Sequence, residues 1–471
     1  MNVAAVFVWF SLVVTKAICT LEEYRLVCYV NSRTQHHPDM LAFSLDMADP
    51  FLCTHIIMAY MDLDQDYHIT PFTQEDKTLC NSLNMLKERC VYQGVTTTTI
   101  MLYNSISSPS TRNQDLKTML AVGGRNSTDT RLLKMSSDNT RRKTFVQSVL
   151  KHLRQEGFDG LDVVWQPRSA SNIAQGGKNI FTNLLKELRG GIQEEARVSG
   201  IEALLLSTAV SGLEAYAREA YDAQSFPQYV DFISLVTSDL HGPLEGMSGH
   251  ISPLFSRKHP AMDTPQREVL TTNQVQYWLS QGVDSQKLTL GFPAYSPVPR
   301  ILVNEINYDK EDTELQEDAG EYTETDTTVR VMAYHEVCQY LKSGAVVKFD
   351  KSKKLIEAHE YDHWLNFEYI HILREKMRAL QRQELGGAMV WSLDLDDFTG
   401  TLCGKGRFPF TRLLKASLLR DKGPRQHKRH HRSRHRHHHR HPHRHGGFLS
   451  HDSHRTGYHV HCHRHLDRHN T

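Results

Sequence analysis

Two carboxylates and an amide stand close together in the segment Phe158-Asp159-Gly160-Leu161-Asp162-Val163-Val164-Trp165-Gln166. If this apolar run is a strand, alternation sends Asp162, Val164 and Gln166 to the same side. A carboxylate there can hold or transfer a proton, whereas an amide hydrogen-bonds but releases no proton near pH 7. A second chemistry-bearing region runs from His427 to the end, where 17 His are interleaved with Arg and a lone Cys462. Imidazoles and a thiol at one- or two-residue spacing, among them His437, His438, His439, His461, Cys462 and His463, suit weak, multivalent Zn²⁺ or Cu²⁺ binding without fixed geometry. The Arg residues suit a polyanion such as a glycosaminoglycan, and His protonation below about pH 6.5 would strengthen that contact. A solvated tail with no ligand is the plainer reading of the same residues.

These groups need a scaffold, and the chain supplies a repeating one. Apolar, β-rich runs recur at residues 26–30, 56–61, 119–123, 161–165, 204–210, 232–236, 288–295 and 388–395. Amphipathic stretches separate several of them. In the clearest, 139–155, Phe145, Val149, His152 and Leu153 share one face and basic residues the other. Strands alternating with helices imply parallel pairing, and eight units close a (β/α)₈ barrel, an α/β fold whose chemistry sits at the C-terminal ends of its strands. The expected barrel spans 21–295 and 361–421. Residues 296–360, an acidic stretch followed by short β-like runs, read as a small inserted α+β domain. Residues 92–112 are rich in Thr and Ser without helical period, a long loop or an inclusion from an alternative exon. Residues 422–471 hold too few large apolar side chains for a core and are expected to be disordered.

At 471 residues the chain is too long for a peptide hormone, and 39% hydrophobic content argues against a fully disordered one. Its net charge of +1 conceals an asymmetry: from Arg425 onward there are 11 Arg and Lys against two Asp, which leaves about −8 for the remainder. An apolar run at 3–14, followed by Lys16, Ala17 and Cys19, is too short to span a bilayer and reads as a cleaved signal peptide over 1–20. No later run reaches the length of a membrane span, and an exported chain without interleaved aromatics makes nucleic acid a poor partner. Export leaves seven cysteines, Cys28, Cys53, Cys80, Cys90, Cys338, Cys403 and Cys462, enough for three disulfides and one spare thiol. Cys80 and Cys90 could pair only if their helix ends between them. Asn126-Ser127-Thr128 is a glycosylation sequon.

The segment around Asp162 resembles the Asp-Gly-x-Asp-x-Asp-Trp-Glu signature of glycoside hydrolase family 18 chitinases. Further similar segments follow in order: Leu26-Val27-Cys28-Tyr29, Leu120-Ala121-Val122-Gly123-Gly124, Ser238-Asp239-Leu240-His241-Gly242, Leu290-Gly291-Phe292-Pro293-Ala294-Tyr295, and Ala388-Met389-Val390-Trp391-Ser392. The resemblance covers residues 24–419 and implies a reaction in which a general acid protonates the leaving sugar oxygen while the substrate's acetamido oxygen attacks. Here that acid is replaced by Gln166, and Val164 replaces one of two paired carboxylates. Asp159 and Asp162 match remaining positions, though each also reads as a hydrogen-bonded structural carboxylate.

Glycan contacts implied by the resemblance fall on Tyr29, Trp391, Tyr295, Asp239 and Gln166, and Trp391 is equally plausible as core. Aromatic positions are lost at Ser32-Arg33, Arg125 and Leu244, and a Tyr beside Asp239 is replaced by Ser238. A glycan on Asn126 would crowd the groove. The resemblance also implies disulfides Cys28–Cys53 and Cys338–Cys403, and no cofactor. The expectation is a secreted, catalytically inactive chitinase-like glycoprotein that acts by binding, with reduced or altered recognition of chitin or another N-acetylglucosamine glycan and an undefined oligomeric state. Its rivals are a chitin-oligosaccharide lectin retaining Trp391, Tyr295, Asp159 and Asp239, a residual hydrolase that uses Asp162, and a metal- or heparin-binding protein acting through the tail.

Overall fold

The computed structural model describes residues 24–31, 43–71, 73–89, 113–124, 128–166, 177–238, 271–297, 331–350, 355–360, 363–367 and 370–420. The signal segment, 92–112, Asn126 and Ser127 of the sequon, Asp239, Cys90 and the His/Arg tail lie outside these residues. Eight strands form the barrel: β1 (Arg25–Asn31), β2 (His55–Leu63), β3 (Lys117–Gly123), β4 (Gly160–Val164), β5 (Leu205–Ser211), β6 (Phe232–Val236), β7 (Leu288–Pro293) and β8 (Gly387–Trp391). Each pairs in parallel with the next, and β8 pairs with β1, which closes the cylinder. The expected (β/α)₈ fold is therefore present.

Closure buries both faces of every strand, so alternate residues enter two separate apolar layers. One lies inside the barrel and includes Val27, Tyr29, Ile57, Ala121, Val164, Ala209 and Phe232. The other lies between strands and helices and includes Leu120, Leu161, Val163 and Leu206. The outer ring comprises α1 (Gln74–Glu88), α2 (Thr128–Ser136), α3 (Asn139–Glu156), α4 (Gly177–Ser199), α5 (Glu214–Ala220), α6 (Thr271–Ser280), α7 (Tyr334–Lys342), α8 (Ile370–Arg382) and α9 (Pro409–Arg420), α7 belonging to the insert. Asp138 caps α3 by accepting the Arg141 N–H, and Gly157 at φ 78° ends it. The helix buries Phe145, Val146, Val149 and Leu153, each worth about 1.5–3 kcal/mol against water, while His152 of the expected face stays half-buried.

Two strands stop earlier than the sequence suggests. Beyond β8 the chain turns into a short 3₁₀ helix, Leu393–Leu395, where Asp394 Oδ1 accepts the Asn31 N–H at 3.0 Å. Beyond β7 a separate strand, Tyr295–Pro297, pairs with Val331–Ala333 and opens the inserted unit. That unit contains α7 and a three-stranded antiparallel sheet, Val346–Asp350, Leu355–Glu360 and His363–Asn366. Its last strand runs past residue 360, because antiparallel pairing with Leu355–Glu360 recruits the polar segment after it.

Cys28 in the middle of β1 joins Cys53 just before β2, and Cys338 of α7 joins Cys403 in the loop after β8. Helix α1 ends at Glu88, between Cys80 and Cys90. Cys80 is a free, buried thiol against Met58 Sδ at 3.3 Å, and burial pushes its pKa up to about 12.

Gly123 ends β3 at φ 98°, and a Cβ there would stand 2.1 Å from the Val164 carbonyl oxygen. Gly123→Ala is therefore expected to destabilise the chain by about 2–4 kcal/mol through strain and overlap together. Urea unfolding midpoints measure it; a loss below 1 kcal/mol, about the ordinary effect of a point substitution, would contradict the tight β3–β4 approach.

Candidate functional site

Register between strands assembles the centre of the barrel. Asp162 lies opposite Ser207 in the β4–β5 pairing, and both point inward. Tyr29 Oη donates to Asp162 Oδ2 at 2.8 Å, and Ser207 Oγ donates to Oδ1 at 2.6 Å. All three residues are buried. Burial pushes the Asp162 carboxyl up to about 6, while the Ser207 and Tyr29 hydroxyls pull it back toward the ordinary carboxylate range. Burial, then the neighbouring Asp162 charge, raises the Tyr29 phenol well above its usual value, so it remains a donor.

Val164, one inward position nearer the C-terminal rim, enters the interior apolar layer with Ala121 and Ala209. Trp165 turns outward and stacks on Phe181 at 5.3 Å. Its carbonyl accepts the Tyr221 hydroxyl at 2.6 Å, which fixes the backbone just before Gln166. Gln166 lies beyond the end of β4 and is half-buried. The C-terminal end of this strand thus carries a methyl-bearing side chain and an amide where acid–base chemistry would need carboxyls.

Trp391 ends β8, half-buried, between the rings of Tyr29 at 5.1 Å and Tyr60 at 5.7 Å. It is both part of the interior layer and partly open at the rim, so the two readings of its sequence position meet in one residue. Gly124, at φ 93°, leaves room for the Tyr60 ring, whose Cζ would stand 2.6 Å from any Cβ there. Tyr295 is buried, and its hydroxyl donates to Ser238 Oγ at 3.2 Å.

Asp159 does not join this group. It precedes β4 at the N-terminal end of the barrel, where Oδ2 accepts the Thr118 N–H at 2.7 Å and meets Lys87 Nζ at 2.5 Å. These bonds tie β3 and α1 to the entry of β4, a structural duty that removes Asp159 from any groove at the rim. Seven residues of extended chain, about 23 Å, separate it from Gln166.

Ser207 and Tyr60 are contributors that sequence reasoning missed. Ser207 becomes visible only once the β4–β5 register is known. Tyr60 had a local signal, being an aromatic residue within the second apolar run. Among the described residues no group of His, Cys, Asp and Glu is arranged to hold a metal ion. Nor is any described helix long and apolar enough to cross a membrane.

A sequence model of glycosyl hydrolases family 18 matches residues 25–396. Mouse chitotriosidase-1 is 32% identical over 394 residues, 84% of this chain and 78% of its own length. Sheep oviduct-specific glycoprotein is 32% identical over 399 residues, covering 85% and 68%. Among solved structures, human YKL-39, described as a pseudo-chitinase with retained chitooligosaccharide binding, superposes with a TM-score of 0.67 at 28% identity, over 84% of this chain and 99% of that one. A group IV chitinase of Ostrinia furnacalis in complex with allosamidin gives 0.67 and 28%, over 84% and 99%.

The folded carboxyl of Asp162, at about 6, lies above its ordinary 3.8, so between those values the folded chain binds this proton more tightly than the unfolded chain. Its stabilising contribution is complete below 3.8 and is lost as pH rises through about 6. The stability difference between the native chain and Asp162→Asn should therefore shift against the native chain from pH 4 to pH 6. Urea midpoints of both proteins across that range check it; parallel profiles would contradict the burial argument.

Proposed function

The chain belongs to glycosyl hydrolases family 18, and from that premise we propose that it is a secreted, non-catalytic chitinase-like glycoprotein that acts by binding. The observation that carries this reading is the end of β4, where Val164 and Gln166 occupy the two positions at which the family signature has carboxyls. General acid catalysis typically supplies about 10²–10⁴-fold, and an amide supplies none of it. Asp162 offers no replacement, since it is buried and both its oxygens already accept hydrogen bonds.

Loss of the acid removes a transition-state interaction and leaves ground-state contacts intact. Trp391, half-open beside Tyr29 and Tyr60, supports retained stacking on an N-acetylglucosamine ring, with Gln166 as a hydrogen-bonding neighbour. The aromatic positions lost at Ser32-Arg33, Arg125 and Leu244 make that recognition weaker than in a working chitinase. Two disulfides suit an oxidising, extracellular compartment.

Calorimetric titration with chitin oligosaccharides tests the binding function. Weak, saturable heat is expected, with affinity reduced roughly two- to tenfold in Trp391→Ala, the range expected for removal of one stacked ring. No heat at millimolar ligand would remove chitin oligomers as ligands, and unchanged affinity in Trp391→Ala would place the sugar elsewhere.

A further inference from the structure

The parallel ladder between β4 and β5 stops one bond short of what its register allows. Val164 pairs with Ala209, and the Trp165 N–H reaches the Ala209 carbonyl at 3.4 Å. In a parallel ladder a residue that donates to one partner accepts from the residue two places further on, so the next bond would run from the Ser211 N–H to Trp165 O. Instead the Tyr221 hydroxyl stands in the gap. It donates to Trp165 O at 2.6 Å and accepts the Ser211 N–H at 3.1 Å. A single contact of about 2.9 Å is thus replaced by a two-bond bridge, which holds the two strand ends further apart than a ladder bond would. The parting is one-sided. On the other edge of β4 the Gly124 N–H still donates to Val164 O at 3.1 Å, and β5 stays with β6, whose Val236 O accepts the Gly212 N–H at 3.0 Å.

A short return of the chain places this hydroxyl. The backbone leaves β5 at Ser211 and forms α5, and at the end of that helix the Tyr221 N–H donates to Ala217 O at 3.0 Å. The Tyr221 ring is buried, with the rings of Phe181 and Trp278 each 5.7 Å away. Trp165 is held on Phe181 by stacking, and among the described residues its buried indole N–H has no hydrogen-bond partner. Stacked rings can slide over one another. A carbonyl held by a hydroxyl has a set direction as well as a set distance, so the Tyr221 bond fixes the peptide that leads into Gln166.

We infer that Tyr221 is a positioning residue for the rim: its hydroxyl, wedged between Trp165 and Ser211, parts β4 from β5 and aims the Gln166 amide at the sugar that Trp391 stacks. A hydroxyl suits this role because it donates and accepts at once, so opening the ladder leaves neither backbone group unsatisfied. Phenylalanine at this position would keep the ring contacts and lose both bonds. The effect of Tyr221 on a ligand rests on the glycan-binding role proposed above, whereas its placement of Gln166 does not.

The test uses the full chain with nitrogen-15 in its glutamine side chains, the Gln166 amide resonance being identified by its loss in Gln166→Ala. Tyr221→Phe is expected to shift or broaden that resonance, while Tyr229→Phe, the same change in a half-buried ring of the turn Phe226–Tyr229, leaves it in place. Calorimetry with a chitin tetrasaccharide adds a readout that a loss of fold stability alone would not produce. Tyr221→Phe should bind about two- to tenfold more weakly, the range of one neutral hydrogen bond, and should cost nothing further in the Gln166→Ala background. An unmoved Gln166 resonance, or losses that add across the two positions, would overturn the proposal, as would an equal shift in Tyr229→Phe. In the native chain the Ser211 amide should exchange its hydrogen as slowly as its neighbours in β5, and fast exchange there would overturn the bridge without any substitution. If the native chain takes up no oligosaccharide, the glycan role fails, and the resonance and the exchange rate alone decide whether Tyr221 places Gln166.

Discussion

The barrel interior is organised around one buried carboxylate. Asp162 accepts from Tyr29 on β1 and Ser207 on β5, so three strands contribute to a polar contact within a largely apolar interior that also holds the buried Ser234–Thr289 hydroxyl pair. Deleting either hydroxyl would leave a buried acceptor short of a donor, a loss of about 1–3 kcal/mol. Two carboxyls side by side would titrate as a coupled pair. With Val164 in the neighbouring inward position, Asp162 has no such partner there, and its environment is one of burial and two hydroxyl donors.

That arrangement separates what a barrel of this family keeps from what it has given up. The apolar layer through Val164, Ala121 and Ala209 holds the strands in register, and the strand ends still present Trp391 and Gln166 at the rim. In the proposed reading, the same replacements that simplify the core leave no proton donor at the rim. Binding depends on rings and hydrogen bonds in the ground state, while turnover depends on charge movement in the transition state. A site can lose the second and retain the first.

Much of this was legible in the sequence, for identifiable reasons. Strands buried on both faces read as continuous apolar runs, so all eight stood out, and the periodicity of α3 marked its buried side. The inward alternation of Asp162 and Val164 followed from strand geometry alone. What failed were relations across strands. Of the two readings of Asp159, signature position and hydrogen-bonded structural carboxylate, its bonds to Thr118 and Lys87 favour the second, and three residues of extended chain carry it about 10 Å from Asp162 toward the other end of the barrel. Ser207 was invisible without the β4–β5 register. The disulfide partners came from resemblance, since cysteine spacing fixes no connectivity, and the strand His363–Asn366 was missed because its polar residues show no β pattern of their own.

The central claim concerns the missing proton donor, and hydrolysis of a fluorogenic chitobioside tests it most directly. The purified native chain and the variant Val164→Asp/Gln166→Glu should be assayed side by side at matched concentration and pH. The native chain is expected to release no fluorophore above the uncatalysed background, while the double substitution restores measurable turnover. Turnover by the native chain at a rate near that of the double variant would contradict the account.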